Sequence, residues 1–126
     1  MKSSLLSIVF LFVSFLAYPQ QKNKVPLYQD AKPPIEKRVK DLLARMTVEE
    51  KVGQMTQVTL AVIAKGAWAN EDGSLDPALL KKAVADYKVG SILNTTAHAL
   101  NVETWQKLIT QIQDEAKTTR LQIPVI

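Results

Sequence analysis

Apolar positions between residues 35 and 46 recur at helical spacing. Ile35, Val39, Leu42, Leu43 and Met46 fall at i, i+4, i+7, i+8 and i+11, which places them on one stripe. Pro34 stands just before this pattern, where a missing N–H costs a helix nothing. Glu36–Lys40 and Asp41–Arg45 are i,i+4 pairs with the acid first. Thr47-Val48-Glu49-Glu50 then fits a capping box, predicting a second short helix whose buried side is Val48, Val52 and Met55.

From Gln57 the period changes. Val58-Thr59-Leu60-Ala61-Val62-Ile63 is a short apolar, β-branched run, predicting a strand covered on both faces. Asn70-Glu71-Asp72-Gly73-Ser74 has the composition of a turn. Asp76-Pro77 predicts a helix start, with the stripe Leu79, Leu80, Ala83, Val84 and Tyr87 behind it. Val89-Gly90-Ser91-Ile92-Leu93 predicts a second strand. Asn101 opens a helix lined by Val102, Trp105, Leu108, Ile109, Ile112 and Ala116, and residues 123–126 predict a third strand.

Strand, helix, strand, helix, strand is the order of parallel βα units, so the fold class is α/β. Three strands are too few for a barrel of eight, which takes about 250 residues. The expectation is therefore the first βα units of a (β/α)8 TIM-type barrel, incomplete. An independent three-strand α/β sheet is the alternative, but its apolar strands would have open edges.

The N-terminal region obeys different rules. Lys2 precedes an apolar run over residues 5–17, interrupted by Ser7 and Ser14. Those 13 residues are shorter than the roughly 20 that cross a bilayer core, so residues 1–20 are expected to be a signal peptide and the protein exported, to periplasm or medium. Residues 21–34 carry three of the six prolines and read as an extended leader, and residues 35–126 form the folded part. Without Lys2 there are 15 basic and 12 acidic residues, a charge of about +3 spread in alternation along helix faces. No block of like charge suggests a nucleic-acid partner, or a membrane partner beyond the signal peptide. There are no cysteines, so an exported chain would be held without disulfides.

Residues 36–55, EKRVKDLLARMTVEEKVGQM, closely resemble the opening of the N-terminal domain of family-3 glycoside hydrolases, the β-glucosidase-like enzymes. The likeness continues through Val89-Gly90-Ser91-Ile92-Leu93-Asn94 and Leu121-Gln122-Ile123-Pro124-Val125-Ile126. It implies a retaining hydrolase of β-linked glucosides or related sugars, with carbohydrate as the partner and no cofactor. It covers the opening third of the family's barrel domain, so the family's nucleophile, acid/base and first sugar-gripping Asp have no matching position here. The fragment itself is expected to be inactive. The N-acetylhexosaminidase branch of the same family and a free-standing binding module are the competing readings.

Retaining glycosidases need two carboxyl groups about 5–5.5 Å apart. Asp30 lies in the leader, Glu36 and Asp41 on an exposed helix face, and Glu49, Glu50, Asp76 and Glu103 in first helical turns. Asp86, Asp114 and Glu115 lie on later turns, which leaves Glu71 and Asp72 as the acids in a loop that could face a barrel mouth. No catalytic residue is assigned. Asn94 and His98, in the loop after the second strand, are the candidates for the mouth, because loops at the carboxyl ends of barrel strands build active sites. Asn94-Thr95-Thr96 also matches a glycosylation acceptor. Trp68 could serve as a sugar platform, and Trp105 belongs to a helix stripe. No metal-ligand spacing occurs.

Overall fold

The computed structural model describes residues 25–66, 74–93 and 99–126 of the chain. Contacts divide it into two compact units, one ending at Val39 and one starting at Lys40. In the first, the leader makes a single 3-10 turn at Leu27–Gln29, where the Pro-rich composition predicts extended chain only. The Tyr28 carbonyl there accepts two bonds from the Arg38 guanidinium, at 3.2 and 3.1 Å.

Helix α1 spans Ile35–Arg45 and α2 spans Val48–Gln54. The capping box between them is formed in full. Glu50 N–H donates to Thr47 Oγ1 at 3.2 Å, and Thr47 N–H donates to Glu50 Oε2 at 2.8 Å. The Asp41–Arg45 pair is also formed, through two bonds of 2.9 and 3.1 Å.

Strand β1 (Gln57–Thr59) pairs in parallel with β2 (Ser91–Leu93), Val58 opposite Ile92. The expected strand over 58–63 stops early. Its second half, Leu60–Val62, turns into a 3-10 helix that drives Leu60 and Ile63 into the core and leaves Val62 exposed. The chain then folds back on itself. Ala64 bridges Leu75 antiparallel, Lys65 N–H donates to the Ser74 carbonyl, and Asp76 N–H donates to that of Ile63.

Helix α3 (Pro77–Lys81) begins where Asp76-Pro77 predicts, with Asp76 Oδ1 accepting from the N–H groups of Ala78 and Leu79. It runs into a π turn at Lys82–Asp86, in which the Tyr87 N–H reaches back to the Lys82 carbonyl. One extra residue in the turn rotates the next side chains off the helical stripe. Leu80, Ala83 and Val84 are buried as expected, but Tyr87 is 63% exposed. Helix α4 (Val102–Lys117) starts at Asn101, whose Oδ1 accepts from Thr104 N–H at 2.8 Å.

The core gathers Leu60, Ile63, Leu80, Val84, Leu108 and Ile112 between the sheet and the two later helices, with Trp105 packed against it. Several predicted stripe positions lie outside this core. Val102 and Ile109 of α4 are exposed, as are Ile35, Val39 and Leu43 of α1, where Met46 is buried. The expected buried side of α2 is reversed: Val48, Val52 and Met55 are 71%, 53% and 80% exposed, while Glu50 and Gly53 face inward. The reason lies in partners distant along the chain. The cap turns Glu50 toward a cationic partner, and Gly53 must meet backbone.

Residues 123–126 do not form a regular strand, but Ile126 already pairs with β2. Its N–H donates to the Gly90 carbonyl at 3.0 Å and its carbonyl accepts from Ile92 N–H at 2.8 Å, the pattern of a parallel neighbour. The spatial order β1, β2, tail therefore matches the chain order, as in successive βα units. No helix among the described residues is long and apolar enough to cross a membrane.

Candidate functional site

Parallel strands have two poles. The carboxyl ends of β1 and β2, Thr59 and Leu93, lie side by side, and loops leave from them. Asn94 and His98 belong to the loop after Leu93, and Trp68, Glu71 and Asp72 to the loop that the Ala64–Leu75 bridge closes. All five lie outside the described residues. The two mouth candidates therefore stand as expectations.

A cleft of about 580 Å³ runs between the sheet and α4, lined by Leu60, Ile92, Trp105, Ile109, Val125 and Ile126 among others. Among the described residues its lining holds no acidic side chain, so these residues offer apolar surface and no proton donor.

The charged cluster sits at the opposite, amino pole. Glu50 is buried, with its side chain 10% exposed. Its carboxylate accepts Arg120 Nη2 at 2.6 Å, Arg120 Nε at 3.2 Å and the Thr47 N–H. The same Arg120 Nη2 donates to the Arg45 carbonyl at 2.9 Å. One guanidinium thus joins the last turn of α1, the first turn of α2 and the segment after α4. Burial pushes the Glu50 carboxyl upward, but the Arg120 bonds, the Thr47 N–H and the nearby cationic charge outweigh it and hold its pKa below the ordinary carboxylate value. Glu49 beside it is also lowered, by its own backbone bond and the Thr47 hydroxyl.

A cleft of about 530 Å³ opens next to this cluster, between Thr47, Gln54, Lys88, Thr119, Arg120 and Val125. Its chemistry is that of a clasp. A carboxylate held ionised, with both oxygens already engaged by a guanidinium and a backbone N–H, has neither the raised pKa of a general acid nor an unengaged oxygen for attack. No group of acidic and histidine side chains able to hold a metal ion occurs among the described residues.

Two glycines allow the amino pole to close. Gly90 N–H donates to the Gly53 carbonyl at 2.9 Å, so α2 and the entry to β2 cross backbone to backbone. A Cβ at Gly90 would meet the Gln54 carbonyl oxygen, and would come within 2.7 Å of Gln54 Cα; one at Gly53 would lie 2.9 Å from the Lys88 carbonyl carbon. Reading the sequence finds the capping acid Glu50 but misses Arg120, which stands 70 residues away in an irregular segment. The only local hint is Gly53, a costly residue inside a helix and hence a sign of close approach.

No family model matches the chain. It is similar to a protein named probable beta-glucosidase C from Aspergillus oryzae, 36% identical over 110 residues, which are 84% of this chain and 16% of the relative. Beta-glucosidase C of Emericella nidulans is 32% identical over 108 residues, 83% of this chain and 16% of the relative. Beta-glucosidase BoGH3A of Bacteroides ovatus is 53% identical over a shorter stretch of 53 residues, 40% of this chain and 7% of the relative. The chain thus spans about a sixth of the length of the fungal relatives it matches.

Proposed function

Because the chain belongs, over the stretch it spans, to the family-3 glycoside hydrolases, we propose that it supplies the opening βα units of a barrel that cleaves β-linked glucosides. The observation that carries this reading is the similarity to named β-glucosidases over 84% of its residues. The sequential parallel order of β1, β2 and the tail supports the barrel. In this reading carbohydrate binds at the carboxyl ends of the strands, with Asn94 and His98 at its rim. Glu50 and Arg120 brace the opposite pole and take no part in chemistry.

The reaction proceeds with retention, using a nucleophile and an acid/base carboxyl that these 126 residues do not contribute. The inventory of acids supports this. Each described carboxylate lies in the leader or on a helix or its cap, and Glu50, the buried one, is locked as an anion. Residues 1–20 direct export and are removed.

The test is hydrolysis of an aryl β-glucoside, with an aryl N-acetyl-β-glucosaminide beside it. The 126-residue chain alone should release the aryl group no faster than buffer. The same residues within a full-length protein that carries the rest of such a barrel should cleave the glucoside and spare the glucosaminide. Turnover by the 126 residues alone, abolished by Glu71→Gln or Asp72→Asn, would overturn the assignment of roles.

A further inference from the structure

Along an extended segment, successive residues turn their N–H and C=O groups to opposite edges. Ile126 directs both groups at β2, so Val125 directs both away from it. That outer edge is occupied. Gln113, three turns into α4, donates from Nε2 to the Val125 carbonyl at 2.6 Å, and its Oε1 accepts from the Val125 N–H at 3.3 Å. The Gln113 carboxamide presents an N–H donor and a C=O acceptor on one side, as a residue of a neighbouring extended strand does along its edge, so a single side chain satisfies both backbone groups. The Val125 side chain is buried at the same time, which makes an unpaired N–H or C=O there costly.

We propose that Gln113 is an edge guard. Its amide stands in the pairing positions that a parallel strand beside the tail would need, so the tail accepts such a strand only when Gln113 swings away. Exposed strand edges template pairing between chains, and proteins protect them by covering or blocking them. Here the cover is one rotatable side chain on the helix just before the edge. It therefore protects the edge while the edge is open and gives way to a strand that makes the same two bonds. This inference is independent of the catalytic reading, because it concerns backbone pairing alone.

The test is residue-resolved amide exchange on the full 126-residue chain, with light scattering on the same samples. In the unaltered chain the Val125 amide should be protected. In Gln113→Met it should exchange about tenfold or more faster, while the Ile126 amide, bonded to Gly90, changes by less than about threefold. Self-association of Gln113→Met should rise several-fold over both the unaltered chain and Gln111→Met, which adds the same apolar side chain at an exposed position of the same helix. A Val125 amide that exchanges at the random-coil rate in the unaltered chain overturns the proposal, and that measurement stands even if Gln113→Met does not fold. Equal self-association in Gln113→Met and Gln111→Met overturns it as well.

Discussion

Replacing Arg120 by Met should loosen the amino pole far more than an ordinary surface substitution would. Met keeps most of the aliphatic stem and removes two bonds to Glu50 and one to the Arg45 carbonyl. Two limits bracket the cost. An exposed ion pair contributes about 0–1 kcal/mol, whereas stripping the partner from a fully buried charge costs about 3–5 kcal/mol. The Glu50 side chain is 10% exposed and that of Arg120 is 57% exposed, so the carboxylate behaves as buried while the guanidinium is partly screened. The loss should therefore be about 2 kcal/mol. With a urea dependence of about 1.5 kcal/mol per molar, the unfolding midpoint should fall by somewhat more than about 1 M. Pulse proteolysis across a urea series reads that midpoint at low protein concentration. Glu50→Gln should cost a similar amount, and the double variant clearly less than the sum of the two, because both changes break one interaction.

Acid should reproduce the effect. Glu50's folded pKa lies below its unfolded value near 4.5, so its contribution is complete above that value and is lost as pH falls through the lower, folded one. The gap between the unaltered chain and Glu50→Gln should be full at neutral pH and should close on acidification below about 4.5. Strictly additive effects, or midpoint shifts below about 0.3 M, would show that the clasp contributes nothing beyond its surface contacts.

Gly90→Ala should prevent native folding, because the new methyl meets the Gln54 backbone, and a lost circular-dichroism signal or collapsed amide dispersion would report it. Asn101→Ala should cost about 1 kcal/mol through the lost Thr104 N–H bond, read as faster exchange in the first turn of α4 and a lower urea midpoint. The isolated chain should bind an apolar fluorescent dye such as ANS, since Ile35, Val48, Val52 and Met55 all stand in solvent. Met55→Lys with Val52→Lys should reduce that signal without lowering the urea midpoint, and an unchanged signal would place the dye elsewhere.

The chain's local chemistry was legible without coordinates. Thr47, Asp76 and Asn101 cap helices where their side chains predicted, and the Asp41–Arg45 pair forms, because each of these depends on groups at most four residues apart. The order of the first two strands and of the helices was legible too, since a change of hydrophobic period marks a change of element, whereas residues 123–126 pair with β2 without forming the strand expected of them. Tertiary packing decided what distance along the chain conceals. Arg120 reaches Glu50 across 70 residues, Gln113 covers the edge at Val125, and Gly53 meets Gly90 backbone to backbone. Packing also chose which apolar stripes are buried. Periodicity says that α1 and α2 each have an apolar side, but burial needs a partner surface, and in the second helix the inward face went to Glu50 and Gly53 instead. A helix records its own periodicity in its sequence, but the neighbour that covers it is set by where the rest of the chain comes to lie.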